Sequence, residues 1–566
     1  MAEFSTDLTD INYLLFNWLK VQDHIEDYEA NDLKDIISQF DNFVEKEIWP
    51  SRVIGDVDGC TLKDGNVTVP EAFKKANKLF YDNGWYGLGF PEEIGGMPVP
   101  HALTVACTAI LVGANVSFSM YYGLSKAAMN VILEVGTDKQ KSLYVEQMMT
   151  GNWGGTMCLT EAGAGSDVGA AKTIATPQDN GTFNMKGTKI FISSGDNDLY
   201  DNIIHLVLAR TPGSPEGTKG LSLFIVPKNR INEDISNGES NNVVCTNIEE
   251  KMGMHGSSTC ELTFGNEGDC IGELIGKEHD GMTNMFIMMN EARLLCGSQG
   301  DSQANQVLTL TEQYANERVQ FDTPIINLPD VKRMVNKMRA MCRGTRALSL
   351  YAAHLFDMAK KDPSVESEIA FLTPVCKAFA TEEGSQVCVD AIQVHGGYGY
   401  CKEYGIEQFF RDTKISTIYE GTTGIQALDF LTRKVLKDGG KTFMTILERT
   451  KKSISKARTD WPKECELMEE SIAGVETILV AFAVAGQNKN NNYILDHCTD
   501  FLHYCGNILV SWLLLDLAIL AKQDSELATG DHLKYLKSKV LDFEIFSQHF
   551  LVRNKGIYAT IMNFSN

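Results

Sequence analysis

Met157-Cys158-Leu159-Thr160-Glu161-Ala162-Gly163-Ala164-Gly165-Ser166-Asp167 reads as an apolar strand running into a loop with two glycines, a serine and an acid. Such a loop lets backbone N–H groups approach a phosphate or the edge of a ring, because glycine places no Cβ in the way. It is not a Walker A loop, since no Gly-Lys-Ser/Thr follows, and it is not the Rossmann glycine pattern. A plain β-turn is the competing reading.

The chain around this stretch has a β texture from about 154 to 276. Short β-branched or aromatic runs at 154–160, 188–193, 203–208, 221–227 and 259–264 are separated by turn residues such as Asp179-Asn180-Gly181. Strand alternation with no long helix between suggests an antiparallel barrel or sandwich. Before it, 32–48, 69–83 and 100–133 carry apolar residues at three-and-four spacing, as helices do. After it helices return, at 284–318, 328–361, 374–394 and 424–437. Gly439-Gly440 reads as a boundary, and 441–566 as a further group of helices. The spacing therefore predicts an α+β chain, mostly α, in four parts: 1–155 helical, 156–276 β-barrel-like, 277–438 a helical bundle and 439–566 a helical extension.

Composition limits the function. Among 566 residues, 51 Lys and Arg stand against 74 Asp and Glu, a formal charge of −23. No basic face of the size a nucleic acid needs is compatible with that excess, nor is an anionic membrane surface favoured. A polyanionic small ligand is allowed, because N–H groups and a few arginines suffice to hold it. The 14 cysteines form no C-x-x-C pair and no zinc-ligand spacing, so they read as reduced thiols, with no metal site expected. No basic segment followed by a long apolar run opens the chain, so a cytoplasmic protein is expected. The longest apolar stretch, 508–521, contains Asp516 and reads as a buried helix.

Two further segments stand out. In Gln393-Val394-His395-Gly396-Gly397-Tyr398 a helix ends at a glycine pair, either as a simple cap or to let backbone approach a ligand. In Ile418-Tyr419-Glu420-Gly421-Thr422-Thr423-Gly424 a carboxylate lies between an apolar run and a small, flexible one. Desolvation there would raise its pKa and make it a usable base, although a lone Glu before Gly is more often a surface or capping residue.

Taken together and in this order, these segments resemble the acyl-CoA dehydrogenase family over about residues 35–437. The resemblance is carried by the LTEAGAGSD loop at 159–167, GLGFPEEIGG at 87–96, KMGMHGSST at 251–259 and IYEGTTGIQ at 418–426. The insertion at 55–73 and the extra C-terminal helices resemble a larger branch, which includes 3-methylmercaptopropionyl-CoA dehydrogenase-like and long-chain bacterial enzymes. The resemblance implies FAD lying between the β domain and a four-helix bundle. It implies oxidation of an acyl-CoA thioester to its 2,3-enoyl form, with Glu420 as the α-proton base and flavin N5 as hydride acceptor.

It also implies residue roles. Thr160 would hydrogen-bond the flavin ring, with Met157 and Leu159 beside it and Gly165 and Ser166 near the cofactor or the CoA pyrophosphate. Phe191 occupies the place usually held by Trp against the ring, with Ile192 next to it and Ser193 in place of the usual Thr. Arg318 and Phe321 would reach the FAD of a neighbouring subunit, as would Gln393 and Gly397, so a dimer or larger homo-oligomer is expected. Thr422 is retained, while Gly424 replaces a Gln that touches FAD. Tyr419, Gly421, Ser166 and Arg293 would face the substrate. His255 replaces an Arg and has no assigned role. A minority of the family carries its base on the long helix, where this chain has Ala292. Glu291 is one residue off, about 100° around a helix, and reads as structural. The implied partners are an acyl-CoA and an electron-transfer flavoprotein. An oxidase with the same base, or a non-catalytic scaffold, are the rival readings.

Overall fold

The computed structural model describes residues 3–563, which divide into two compact units. One, formed by 39–99 and 114–292, holds the sheet; the other, formed by 3–38, 100–113 and 293–563, is helical.

The main sheet of this unit has eight strands: β1 Trp153–Cys158, β2 Ile174–Pro177, β3 Phe183–Ser193, β4 Asn202–Arg210, β5 Leu221–Pro227, β6 Val243–Ile248, β7 Thr259–Phe264 and β8 Ile271–Ile275. Five of them close a circuit, β3–β8–β5–β4–β2 and back to β3, which is the barrel-like element. β7 and β6 extend the sheet from β3. β1 pairs with β4 in parallel, Trp153 opposite Asn202 through Cys158 opposite Val207. The sheet is thus mixed, where turn spacing suggested an antiparallel one. Parallel pairing needs a long crossover, and residues 159–201 supply it through loops and β2–β3 instead of a helix. β5 is buried along its whole length, which is why it reads as an unbroken apolar run. Phe224, Val226, Val207, Phe264 and Cys260 form the centre of this core.

The insertion at 55–73 completes a helix, Ser51–Asp58, and folds a hairpin, Thr61–Lys63 against Asn66–Thr68. Its Asp64-Gly65 turn has φ of 50° and 74°, the pair of positive values a two-residue hairpin turn requires. The helical segment expected at 100–133 is two helices, His101–Ala114 and Val116–Val135. Asn115 breaks it by taking an extended backbone, and its side chain caps the second helix by accepting from Phe118 N at 3.1 Å.

In the helical unit the long helices are Pro329–Ala359, Glu366–His395 and the portion of Gly281–Glu317 from Arg293 onward. Glu366–His395 begins eight residues before the Pro374 at which the sequence pattern begins and runs through that proline. It crosses the Gly281–Glu317 helix at backbone contact. A Cβ on Gly297 would lie 2.5 Å from Cys376 O, and one on Gly300 would lie 2.6 Å from Thr381 Cα. Only glycine permits that approach, and it brings Lys377 against the first of these helices.

The extension, Lys441–Ala457, Pro462–Gln487, Cys498–Asp524, Gly530–His549 and Asn554–Asn563, packs on the same unit. Val510 and Leu514 press on Gly344 of Pro329–Ala359, and Gly506 lies against Phe379. Cys498–Asp524 is the one helix among the described residues long and apolar enough to cross a membrane. The mean hydropathy of its most apolar 18-residue window is 1.8, yet 83% of that window is buried in protein. All fourteen cysteines are free.

A buried ionic cluster ties the N-terminal segment to the extension. Asp10 is inaccessible to solvent. It accepts from Lys539 Nζ and Tyr535 OH, each at 2.9 Å, and from Arg346 Nη1 at 2.8 Å. Beside it, Arg343 pairs with Asp542 at 2.9 Å and Asp7 at 3.2 Å.

Candidate active site

The glycine loop of the sheet unit is held from beneath by a buried ion pair. Lys189 Nζ, on β3, donates to Glu161 Oε1 and to Leu159 O, each at 2.9 Å. Glu161 also accepts from Lys172 N at 2.7 Å, and from Thr173 N and Oγ1 at 3.0 and 2.6 Å. Burial works to raise the Glu161 pKa. The Lys189 charge and these hydrogen bonds outweigh it and bring the carboxyl down to about 2. Glu161 is therefore an anchor, not a ligand-facing acid. The loop above it is open: Gly165 and Ser166 are exposed, Thr160, Met157 and Leu159 are half-buried, and nothing lies within 4 Å of a Cβ built on Gly163 or Gly165.

β3 is re-aimed at its end. Its register with β7 slips between Cys260 and Leu262, and Phe191 sits at the slip with φ 58°. A bulge of this kind turns one side chain away from the sheet. Phe191 is 59% exposed, Ser193 is half-buried and Ile192 points into the core. An unpacked aromatic ring, hydroxyls at Thr160, Ser166 and Ser193, and glycines that no protein contact requires make a donor set that fits a flavin nucleotide.

In the helical unit, Glu420 follows Tyr419 and precedes Gly421 at the start of Thr423–Asp429. The Thr422 hydroxyl caps this helix from Ile425 N at 3.4 Å. Glu420 and Gly421 both have positive φ, 53° and 85°. The Glu420 side chain keeps solvent access although protein surrounds it on most sides. That desolvation pushes its carboxyl pKa up, against the pull of Arg293 and Lys377. Arg293 is itself buried and paired with Asp429 at 2.7 Å, so its guanidinium is already engaged inside the protein. Tyr419 OH donates to Gln299 Oε1. No acid occupies position 292, and Glu291 accepts a hydrogen bond from Asn130 at 3.5 Å.

A second group lies on the surface of the helical unit. The Arg318 guanidinium stands 5.4 Å from the centre of the Tyr398 ring, and Tyr314 stacks on His395 at 4.2 Å. Phe321 is 86% exposed, Gln393 and Gly397 are exposed, and a Cβ on Gly397 would meet nothing within 4 Å. His255, unassigned from sequence, is a local staple of the sheet unit. Its Nδ1 contacts Asp56 Oδ1 at 2.9 Å and its Nε2 contacts Lys251 O at 2.9 Å.

The geometry thus brings Thr160, Ser166 and Phe191 to one open loop region, and Glu420, Tyr419 and Arg293 to one helix start. Sequence reasoning did not find Lys189, Glu161 or Lys377. The one available signal was a lysine inside the strand-like run 188–193, where a buried charge needs a partner.

Residues 30–152, 156–266 and 279–435 match in turn the N-terminal, middle and C-terminal domains of acyl-CoA dehydrogenase, and 443–566 match the domain described as acetyl-CoA dehydrogenase C-terminal like. The 3-methylmercaptopropionyl-CoA dehydrogenase of Ruegeria pomeroyi is 38% identical over 554 residues, 94% of this chain and 92% of that one. The broad-specificity linear acyl-CoA dehydrogenase FadE5 of Mycobacterium tuberculosis is 33% identical over 588 residues, 97% and 96% of the two chains. Among solved structures, an acyl-CoA dehydrogenase complexed with FAD from Bacillus anthracis superposes with a TM-score of 0.77 at 23% identity, covering 96% of this chain and 91% of its own. The chain belongs to the acyl-CoA dehydrogenase family, whose members are FAD-dependent oxidoreductases.

Proposed function

We propose that the protein binds FAD and oxidises an acyl-CoA to the 2,3-enoyl-CoA, with Glu420 taking the α-proton. The observation that carries the reading is Glu420 itself. It is an accessible carboxylate whose desolvation shifts it towards the range of a general base, and no rival acid stands at position 292. The flavin, when bound, accepts the hydride from the β-carbon. Thr160, Ser193, Met157, Leu159, Phe191 and the backbone at Ile192 would hold its ring, and Gly165 and Ser166 its phosphates or those of CoA. The Glu420 backbone N–H would polarise the thioester oxygen, and Tyr419, Gly421 and Arg293 would border the acyl group. Thr422 would keep its contact with the cofactor.

Arg318, Phe321, Gln393 and Gly397 would complete the FAD site of a second copy, which makes a homodimer the smallest working form. Arg318→Ala then loses a charge-assisted contact to the pyrophosphate. FAD should be released at lower dilution than from the wild type in fluorescence titrations. FAD affinity unchanged on dilution to monomer would count against the shared site.

The electrons would pass to an electron-transfer flavoprotein in the cytoplasm, off the membrane. Assay of enoyl-CoA formation with a flavoprotein acceptor and, separately, of oxygen uptake separates a dehydrogenase from an oxidase. Burial of Cys498–Asp524 supports the off-membrane reading, and Asp516 within it accords with a protein surrounding. Liposome flotation of the intact protein should leave it in the soluble fraction. Strong, salt-insensitive co-flotation would move it to the membrane surface.

A further inference from the structure

Glu420 sits in a backbone conformation that few non-glycine residues adopt, and Gly421 continues it. Strain of this kind persists where the surroundings over-determine it. Gln426 Nε2 donates to Glu420 O at 2.7 Å, and Lys377 Nζ donates to Gly421 O at 2.6 Å. Both side chains are fully buried. The helix that carries Lys377 also carries Glu382, which accepts from Thr423 Oγ1 at 2.6 Å. One helix thus grips the turn on both sides of its kink, and the glycine crossing at Gly297 and Gly300 fixes that helix against its neighbour.

We propose that Lys377 is a positioning residue for proton abstraction, holding the Gly421 carbonyl so that the Glu420 carboxylate stays aimed at the α-carbon of a bound acyl-CoA. The proposal rests on the reading of Glu420 as the base. A lysine whose only task was to fill the core would be an expensive choice, because an ammonium costs far more to bury than a methyl group. Here the hydrogen bond its Nζ makes goes to the turn that carries the base. The titratable groups that act on this region are Arg293 and Cys296 from one helix, Asp429 paired with Arg293, Lys377 and Glu382 from the other long helix, and Tyr419 from the turn itself. Of these, Arg293 and Lys377 favour the ionised carboxylate.

The test uses Lys377→Met, similar in length but unable to donate, and Lys377→Arg, beside Glu420→Gln. Each is prepared as the FAD-loaded enzyme, with flavin content, thermal unfolding, kcat, KM and the pH profile of kcat measured. In Lys377→Met, flavin content should match wild type and kcat should fall roughly 10- to 100-fold with KM little changed, the scale of a misplaced reacting group. Loss of the positive charge disfavours the carboxylate, so the acid limb of the kcat profile should move to higher pH. Lys377→Arg should keep the acid limb near its wild-type position while kcat stays reduced, because the charge remains and the carbonyl contact shifts. Wild-type kcat and acid limb in a folded, flavin-loaded Lys377→Met would overturn the proposal. Should that variant not fold, Lys377→Arg decides: unchanged kcat overturns it and reduced kcat with an unmoved limb supports it. Normal turnover in Glu420→Gln would instead remove the base assignment, an outcome distinct from failure of the lysine.

Discussion

Glu420→Gln is expected to lower turnover by roughly 10²–10⁴ or more, the loss that follows removal of a general base, while FAD remains bound. The amide keeps the shape and the hydrogen bonding of the side chain, so the Glu420 and Gly421 backbone should keep its grip on Gln426 and Lys377. Only the capacity to take a proton is lost. A simple thioester α-proton is weakly acidic, and the nearby Tyr419 and Cys296 are unsuited to remove it. Burial drives the Tyr419 hydroxyl well above its ordinary value, and the Cys296 thiol is pushed up to about 12. Near-normal turnover would transfer the role to another acid, with Glu291, beside Ala292 on the Gly281–Glu317 helix, the next candidate.

Asp10→Ala should cost about 3–5 kcal/mol of stability, the penalty for breaking a buried pair by removing one partner. Lys539 and Arg346 would then face a site that no longer holds a counter-charge, while Arg343 keeps Asp542 and Asp7. Burial alone would raise the Asp10 pKa; the three cations reverse that and hold it far below the carboxylate range. A group whose folded pKa is depressed stabilises the protein above its unfolded pKa and loses that contribution as pH falls. The gap between wild type and Asp10→Ala should therefore be full at pH 7 and shrink below about pH 4, where the unfolded carboxyl begins to protonate. Denaturant titrations at pH 7 and at about pH 2 read this directly. Equal stabilities at pH 7 would mean that the cluster is held by its surroundings and contributes nothing itself.

What was legible in the chain was what is local. The glycine loop at 159–167 and the Glu420 turn are runs of consecutive residues, so backbone freedom, hydroxyls and a carboxylate in an apolar setting can be read without knowing what lies opposite. The extension was legible as helices, because Cys498–Asp524 is too apolar to stand alone in water. Pairings across the fold were not. Lys189 on β3 meets Glu161 on the glycine loop, Asp10 meets Lys539 from the far end of the chain, and Arg293 spends its charge on Asp429. Periodicity shows which face of an element is apolar but not which charge waits on its neighbour. The parallel partner of β1 was hidden for the same reason, since a turn pattern describes neighbours in sequence and β4 is not one. Asn115 and Pro374 mark a different limit. An asparagine in an apolar run breaks the helix by capping the next one, while a proline inside Glu366–His395 is tolerated.

The most direct measurement of the account is anaerobic mixing of the purified protein with short, medium, long and thioether-containing acyl-CoAs while the flavin absorbance is followed. The account predicts a yellow protein whose flavin band bleaches with at least one of these substrates as the 2,3-enoyl-CoA forms. A colourless protein that takes up no FAD, or a flavin band left intact by every acyl-CoA in the series, would contradict it.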